Sequence, residues 1–387
     1  MRDLPLVDYA LPASITRELV SPALVIDVRR VRRNVDRILS LTGSPDRWRP
    51  HVKTTKIPAI WSELVAAGVR QFKCATAREA ALLGEMLHST ESPGGDVLLA
   101  YPAIGPTLQL LGELARRYPE TRFSVISEDP AHVAQVPQGV DVFIDLDPGY
   151  HRTGLALDAR AAILAVARAA GGRFRGLHAY EGHLYGPDLD QRREAAFAIY
   201  DELLAIMREL EAAGFACEEL ITSGTPGFRC ALNYEPFAEL ERTRHRVSPG
   251  TVVYHDTRSD EENPGLELEP AALVFTRIIS HPGERRVTCD AGSKSVAAEA
   301  GDPCALVIGH PELVAQTPSE EHLPLDVRSG PSPTRGSELY LVPRHVCPTI
   351  NLASEALLID EGPSFTPVAI AARGHDLLLS GATESSS

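Results

Sequence analysis

The sequence predicts an α/β chain, a parallel (β/α)8 TIM-like barrel followed by a mostly-β C-terminal domain. Two observations carry this. Between residues 22 and 255, short β-rich runs alternate with longer stretches whose apolar residues recur at three- and four-residue steps. Strand, helix and strand repeated this often mean parallel strands covered by helices. From residue 256 to 387 the helical periodicity stops, and short β-rich runs are separated by Pro/Gly/Ser/Asp clusters such as Arg328-Ser329-Gly330-Pro331-Ser332-Pro333. At 387 residues the chain has room for one barrel and a smaller domain.

In chain order the candidate barrel strands are 23–28, 48–54, 71–75, 96–100, 122–126, 141–145, 175–180, 218–222 and 246–254. Nine exceed the eight of a closed barrel, so the first or the last is a connector or belongs elsewhere. Amphipathic helical stretches are 77–88, 106–118, 159–170 and 191–213. The basic run Arg29-Arg30-Val31-Arg32-Arg33 opens a further helical pattern with Val31, Val35, Ile38 and Leu39 on its apolar stripe. It reads as a solvated helix face rather than a polyanion site. The β domain shows candidate strands 272–279, 286–290, 304–308, 338–342, 357–360 and 367–371. The Ser-rich tail 383–387 reads as frayed.

Composition narrows the function. The net charge is −14, from 52 acidic and 38 basic side chains, which disfavours a nucleic-acid partner. Apolar runs such as Ala271-Ala272-Leu273-Val274-Phe275 are far shorter than the ~20 residues a membrane helix needs. The N-terminus lacks the basic and apolar segments of a signal peptide. The six cysteines show no CxxC spacing, so reduced thiols in a cytoplasm are expected. Five read as small apolar core side chains, and Cys347 stands apart.

The first chemical segment is Arg49-Pro50-His51-Val52-Lys53-Thr54-Thr55-Lys56. A lysine at the carboxyl end of an early barrel strand faces the end where barrels place their sites, and a desolvated lysine can form a Schiff base. Read alone, Lys53 fits a surface strand lysine as well. Asp147 through Gly154 places Arg152 on a tight turn after a buried-looking strand. Ser223-Gly224-Thr225-Pro226-Gly227 and Ser248-Pro249-Gly250-Thr251 follow the last two strands, where barrels hold phosphate through backbone N–H groups. A lysine with two such loops points to pyridoxal phosphate. His183 and Tyr180, at the end of the 175–180 strand, can reach the barrel mouth, and a histidine there exchanges protons near neutral pH. If the 338–342 strand runs on, alternation aims His345 and Cys347 to one side, where imidazole and thiolate together favour zinc. Two protein ligands leave positions open for substrate.

These segments resemble the fold-type III pyridoxal-phosphate enzymes, the alanine-racemase-like barrels, and within them the D-threonine aldolase and eukaryotic-type D-serine dehydratase branch. Pro22 through Asp27 is similar to the opening strand, Arg49 through Thr54 to the cofactor-lysine segment, and Gly149 through Gly154 to a GxxRxG turn. Gly182-His183-Leu184-Tyr185-Gly186 is similar to a GHSYG-type segment, and Pro343 through Asn351 to the branch's metal motif, which ordinary alanine racemases lack. The chain departs from the family pattern at Thr55, at Val252 (with Tyr254 two residues on) and at Leu323.

The resemblance implies that residues 1–21 join the β domain and that the protein is a dimer. It implies Lys53 as cofactor lysine, with Arg152, Tyr180, Ser223, Gly224, Thr225, Gly250 and Thr251 around pyridoxal 5'-phosphate. It implies a divalent metal, with zinc ahead of manganese or magnesium, on His345 and Cys347. The implied activity is a lyase on small D-configured 3-hydroxy amino acids, with His183 the candidate base in an aldolase. In a dehydratase Lys53 takes the α-proton instead. A racemase would not need the metal pair, and a non-catalytic cofactor carrier would be a lone barrel.

Overall fold

The computed structural model describes residues 9–186, 188–361 and 365–377; the tail at 383–387 lies outside them. The chain forms two compact units. The barrel unit comprises Leu39–Lys53, Trp61–Gly250 and the described part of Gly374–Ser387. The β unit comprises the described part of Met1–Ile38, Thr54–Ile60 and Thr251–Arg373. The barrel segment expected at 22–255 is therefore trimmed at both ends.

In the barrel unit seven parallel strands run in the order Gln71–Cys74, Gly95–Leu99, Thr121–Ser127, Val140–Asp147, Phe174–Ala179, Glu219–Thr222 and Arg244–Val247. The two-residue strand Leu155–Ala156 pairs beside Val140–Asp147. The expected 48–54 strand is reduced to two parallel bridges, Trp48 with Val247 and His51 with Lys73. Pro50 explains the reduction, because it has no N–H for a ladder. Its carbonyl still accepts the Lys73 N–H at 3.0 Å, and the Lys73 carbonyl accepts the Val52 N–H at 2.8 Å. The segment thus bridges both edge strands and takes the eighth barrel position. The last strand stops at Val247, and the expected continuation to 254 becomes a 3-10 turn at Thr251–Val253. Helices Ala77–His88, Gly105–Arg117, Arg160–Ala170 and Leu189–Ala212 fall where the periodicity placed them.

The floor of this unit is an ion network. Arg49 is fully buried and donates from Nε and Nη2 to Glu219 at 2.7 and 2.8 Å and from Nη1 to Asp96 at 2.8 Å. Arg175 reaches Asp96 at 2.7 Å, and Arg246 pairs with Glu219. Burial opposes charge on Asp96, but Arg49 and Arg175 hold its carboxyl well below the usual carboxylate range.

In the β unit, Ala272–Gly283 pairs with both Arg286–Cys289 and Glu338–Pro343. Through Leu323–Val327, Leu313–Ala315 and Ala305–Val307 the pairing returns on itself as a six-stranded antiparallel barrel. Two of these strands escaped the sequence reading. Leu313–Ala315 has three residues, and Leu323–Val327 carries Pro324, which reads as a breaker. Ala23–Asp27, the expected opening barrel strand, belongs here instead: it lies antiparallel to Ala272–Gly283 and parallel to Glu355–Ile359. Its Val25 shares a core with Leu273, Phe275, Val342, Leu357 and Ile359, into which Leu11 and Ile15 also pack.

The helix Val28–Thr42 buries Val31, Val35 and Ile38. Its arginines do not form an open basic face. Arg29 pairs with Asp27, Arg32 with Asp360 and Arg33 with Glu269, while Arg30 is buried and donates to the Pro270 carbonyl. No helix among the described residues is long and apolar enough to cross a membrane. No disulfide forms among the described residues; five cysteines are buried and Cys347 is half-buried.

Candidate active site

The barrel unit's site is built around Tyr180, the residue after the Phe174–Ala179 strand. A Cβ on Gly224 would stand 2.8 Å from its ring, and one on Gly182 would collide with it. Both positions therefore require glycine for the ring to lie where it does. The Arg152 guanidinium sits 5.1 Å from the ring centroid and the Lys73 Nζ 5.8 Å, and Tyr150 meets the ring edge-on at 5.8 Å. Arg152 is delivered by the turn after Val140–Asp147. There Asp147 accepts the N–H groups of Gly149 and His151, both at 2.9 Å, and Gly154 (φ 102°) lies so close to the Leu146 backbone that a Cβ would clash.

The Ser223–Gly227 loop is anchored rather than open. Ser223 (φ 61°) gives its N–H to Glu181 Oε2 at 3.1 Å and its hydroxyl to Glu181 Oε1, which also accepts from Tyr200 at 2.7 Å. Ser223 is thus the support of the loop. The Ser223 carbonyl accepts the Ser248 N–H at 3.1 Å, which joins this loop to Ser248–Gly250 in the same unit. Thr251 opens the β unit and is placed with the metal pair described below.

The chain holds four lysines: Lys53, Lys56, Lys73 and Lys294. Lys294 is exposed and paired with Glu320 and Glu321. Lys56 donates to the Cys347 carbonyl at 3.2 Å. Lys53 is exposed, one residue beyond the Val52 bond to the Lys73 strand. Lys73, which the sequence reading passed over, is buried, and burial with the like charge of Lys53 pulls its pKa down to about 7. The signal for it was a single charged residue inside the otherwise uncharged strand Gln71–Cys74, all of which is buried.

His183 lies on the turn after Tyr180, half-buried and stacked against Tyr150 with centroids 6.3 Å apart. Its Nδ1 is buried and makes no hydrogen bond. In the same unit His178 donates Nδ1–H to Asp145 at 2.6 Å, and Asp145 also accepts from Thr153 at 2.7 Å. Burial, then Lys73, lowers the His178 pKa, which favours the neutral ring, and its buried Nε2 makes no hydrogen bond.

In the β unit the expected strand through His345 and Cys347 is instead a helix, Val346–Leu352, with His345 at its N-cap. Pro343 ends the preceding strand, Pro348 fits the first helical turn where no N–H is needed, and Asp256 accepts the Val346 N–H at 2.9 Å. The two side chains are still close enough for Cys347 to be the largest influence favouring the charged form of His345. Burial opposes charge on His345, but Cys347, Asp256 and Glu299 together push its pKa up to about 9. Thr54 Oγ1 lies 3.1 Å and Thr251 Oγ1 3.7 Å from the Cys347 sulfur. Among the described residues no group of three or more His, Cys, Asp and Glu side chains that could hold a metal converges, so a metal at this pair would have two such protein ligands. Imidazole with thiolate suits zinc, and two protein ligands leave coordination positions for water or substrate. The Tyr180 cradle, with its glycines, Arg152 and the anchored Ser223 loop, likewise suits a planar cofactor bearing a phosphate.

A parallel barrel with such a cradle, followed by an antiparallel β barrel, defines the alanine-racemase-like class of fold. The family model "Alanine racemase, N-terminal domain" matches residues 26–258, and the chain belongs to this family. A second model, "Putative serine dehydratase domain", matches residues 271–359. The chain is 28% identical to a D-threonine aldolase of Arthrobacter sp., over 97% of this chain and 98% of that one. It is 25% identical to a D-threo-3-hydroxyaspartate dehydratase of Delftia sp., over 73% of this chain and 74% of that one. The crystal structure of D-threonine aldolase from Filomicrobium marinum superposes with a TM-score of 0.79 at 24% identity, covering 92% of this chain and 96% of that one.

Proposed function

We propose that this protein is a pyridoxal-phosphate- and divalent-metal-dependent lyase that cleaves D-configured 3-hydroxy amino acids to glycine and an aldehyde. The observation that carries the reading is the His345–Cys347 pair in a chain whose barrel also presents Lys53 and the Tyr180 cradle. Its full-length likeness to a D-threonine aldolase supports the same reaction. Lys53 would hold the cofactor through its side-chain amine. Arg152 and Tyr180 position the ring, and Gly224, Thr225 and Gly250 receive the phosphate through backbone N–H groups. The Thr251 N–H follows on from Gly250 toward the phosphate, while its hydroxyl lies 3.7 Å from the Cys347 sulfur.

When bound, pyridoxal phosphate supplies an electron sink for the pair left at Cα, and a divalent metal on His345 and Cys347 acidifies the 3-hydroxyl. His183 takes the hydroxyl proton, the Cα–Cβ bond breaks as the aldehyde carbonyl forms, and a proton delivered to Cα completes glycine.

A second reading, dehydration to a keto acid and ammonia, is favoured by the match of residues 271–359 to the serine dehydratase model. Lys53 then removes the α-proton and the 3-hydroxyl leaves. NMR of the products formed from D-threonine, D-serine and 3-hydroxy-D-aspartate separates the two. Glycine with an aldehyde is expected, a keto acid with ammonia would install the second reading, and no turnover of any of the three would end both.

A further inference from the structure

We infer that Glu299 is the positioning residue for the metal ligand His345, an inference that rests on the metal-pair reading above. Glu299 Oε1 lies 2.6 Å from His345 Nδ1. An ionised carboxylate can only accept, so Nδ1 carries the proton and Nε2 is the nitrogen left to coordinate. A histidine ligand whose other ring nitrogen donates to a carboxylate is fixed in tautomer and orientation and is the more basic ligand for it.

The placement of Glu299 is built into the unit. The segment around it is tied to the turn bearing His345 by two further bonds. Arg344 Nε donates to the Ala300 carbonyl at 3.0 Å, and the Ala297 N–H donates to Thr349 Oγ1 at 3.2 Å. Thr349 Oγ1 donates in turn to the His345 carbonyl at 2.9 Å. Arg344 is itself held by a two-pronged pair with Glu261 at 2.8 and 2.9 Å. The carboxylate and the imidazole, 46 residues apart in sequence, are thus presented to each other by the backbone of two crossing segments. The sequence shows only a glutamate in the loop Ala297-Ala298-Glu299-Ala300-Gly301, with nothing to tie it to His345.

The test is zinc affinity, measured on the cofactor-loaded protein by competition with a chromophoric chelator, together with the thiolate-to-cobalt absorption of the Co2+ form. Glu299→Ala should weaken zinc about 10–100-fold, the usual cost of losing such a partner. Glu299→Gln keeps an acceptor oxygen and should weaken it less. In both variants the thiolate–cobalt band and the thermal midpoint of the metal-free protein should stay as in the wild type. His345→Ala should lose tight binding altogether. Wild-type zinc affinity in Glu299→Ala, with binding lost in His345→Ala, overturns the role of Glu299 and leaves the metal pair standing. Zinc affinity that His345→Ala leaves unchanged overturns the metal pair, and this inference with it.

Discussion

Glu181 holds Ser223 by both of its carboxylate oxygens, one on the backbone N–H and one on the hydroxyl. The left-handed backbone of Ser223, uncommon for a residue with a side chain, is thereby fixed from the neighbouring strand end. Glu181→Ala strips the partner from the Ser223 N–H and hydroxyl and from Tyr200, at a cost of about 1–3 kcal/mol in stability. It should also raise the dissociation constant for pyridoxal phosphate, whereas Glu181→Gln, which retains an acceptor, should do so less. Equilibrium dialysis of the cofactor with a thermal melt of each variant checks both effects. Cofactor affinity untouched in Glu181→Ala would separate this loop from the phosphate.

The lysine assignment has a rival that only the structure reveals. Lys73 is buried with its pKa near 7, so a good share of it is the neutral amine at physiological pH. Lys53 is the better candidate because it stands at the end of the 48–52 segment in the matched motif, whereas Lys73 is enclosed within the unit. Borohydride reduction of the holoprotein followed by peptide mapping should place the pyridoxyl label on Lys53. Label on Lys73, Lys56 or Lys294 would contradict the assignment.

Much of the fold was legible because the barrel's helices carry clear periodicity and its strands are short β-rich runs between them, as in Val142-Phe143-Ile144 within Val140–Asp147. What escaped depends on contacts distant in sequence. Nothing within Ala23–Asp27 says that its partners are Ala272–Gly283 and Glu355–Ile359 rather than a barrel strand. His345 and Cys347 are neighbours, but through a local geometry other than the one expected. Strand alternation was the expected cause, and a helix N-terminus is the actual one. Glu181, Lys73 and Glu299 were missed because a lone charged residue reveals its role only through what folds against it.

The barrel floor should set acid stability. Arg49 and Arg175 depress the Asp96 pKa, so in the window below the ordinary carboxylate pKa of about 4 the unfolded chain binds the proton that the native chain refuses. The resulting stabilisation is present above pH 4 and is lost as the pH falls further. Asp96→Asn leaves the buried Arg49 and Arg175 short of a counter-ion and should cost about 3 kcal/mol at pH 7, the low end for a buried pair because Asp96 itself is partly exposed. Denaturant midpoints of the two proteins should converge as the pH is lowered from 5 to 3. A gap that holds constant across that range would show that the Asp96 charge does not contribute.

We propose that a metal on His345 and Cys347 acts on the substrate hydroxyl in a reaction that also needs a cofactor on Lys53. The most direct measurement is the rate of D-threonine cleavage by the holoprotein before chelation, after it, and after zinc or manganese is restored. Turnover should vanish with the metal and return with it. The cofactor's visible absorbance should persist throughout, because Lys53 does not depend on the metal. Full turnover in metal-free protein would contradict the claim and make a metal-independent reaction, such as racemisation, the better account.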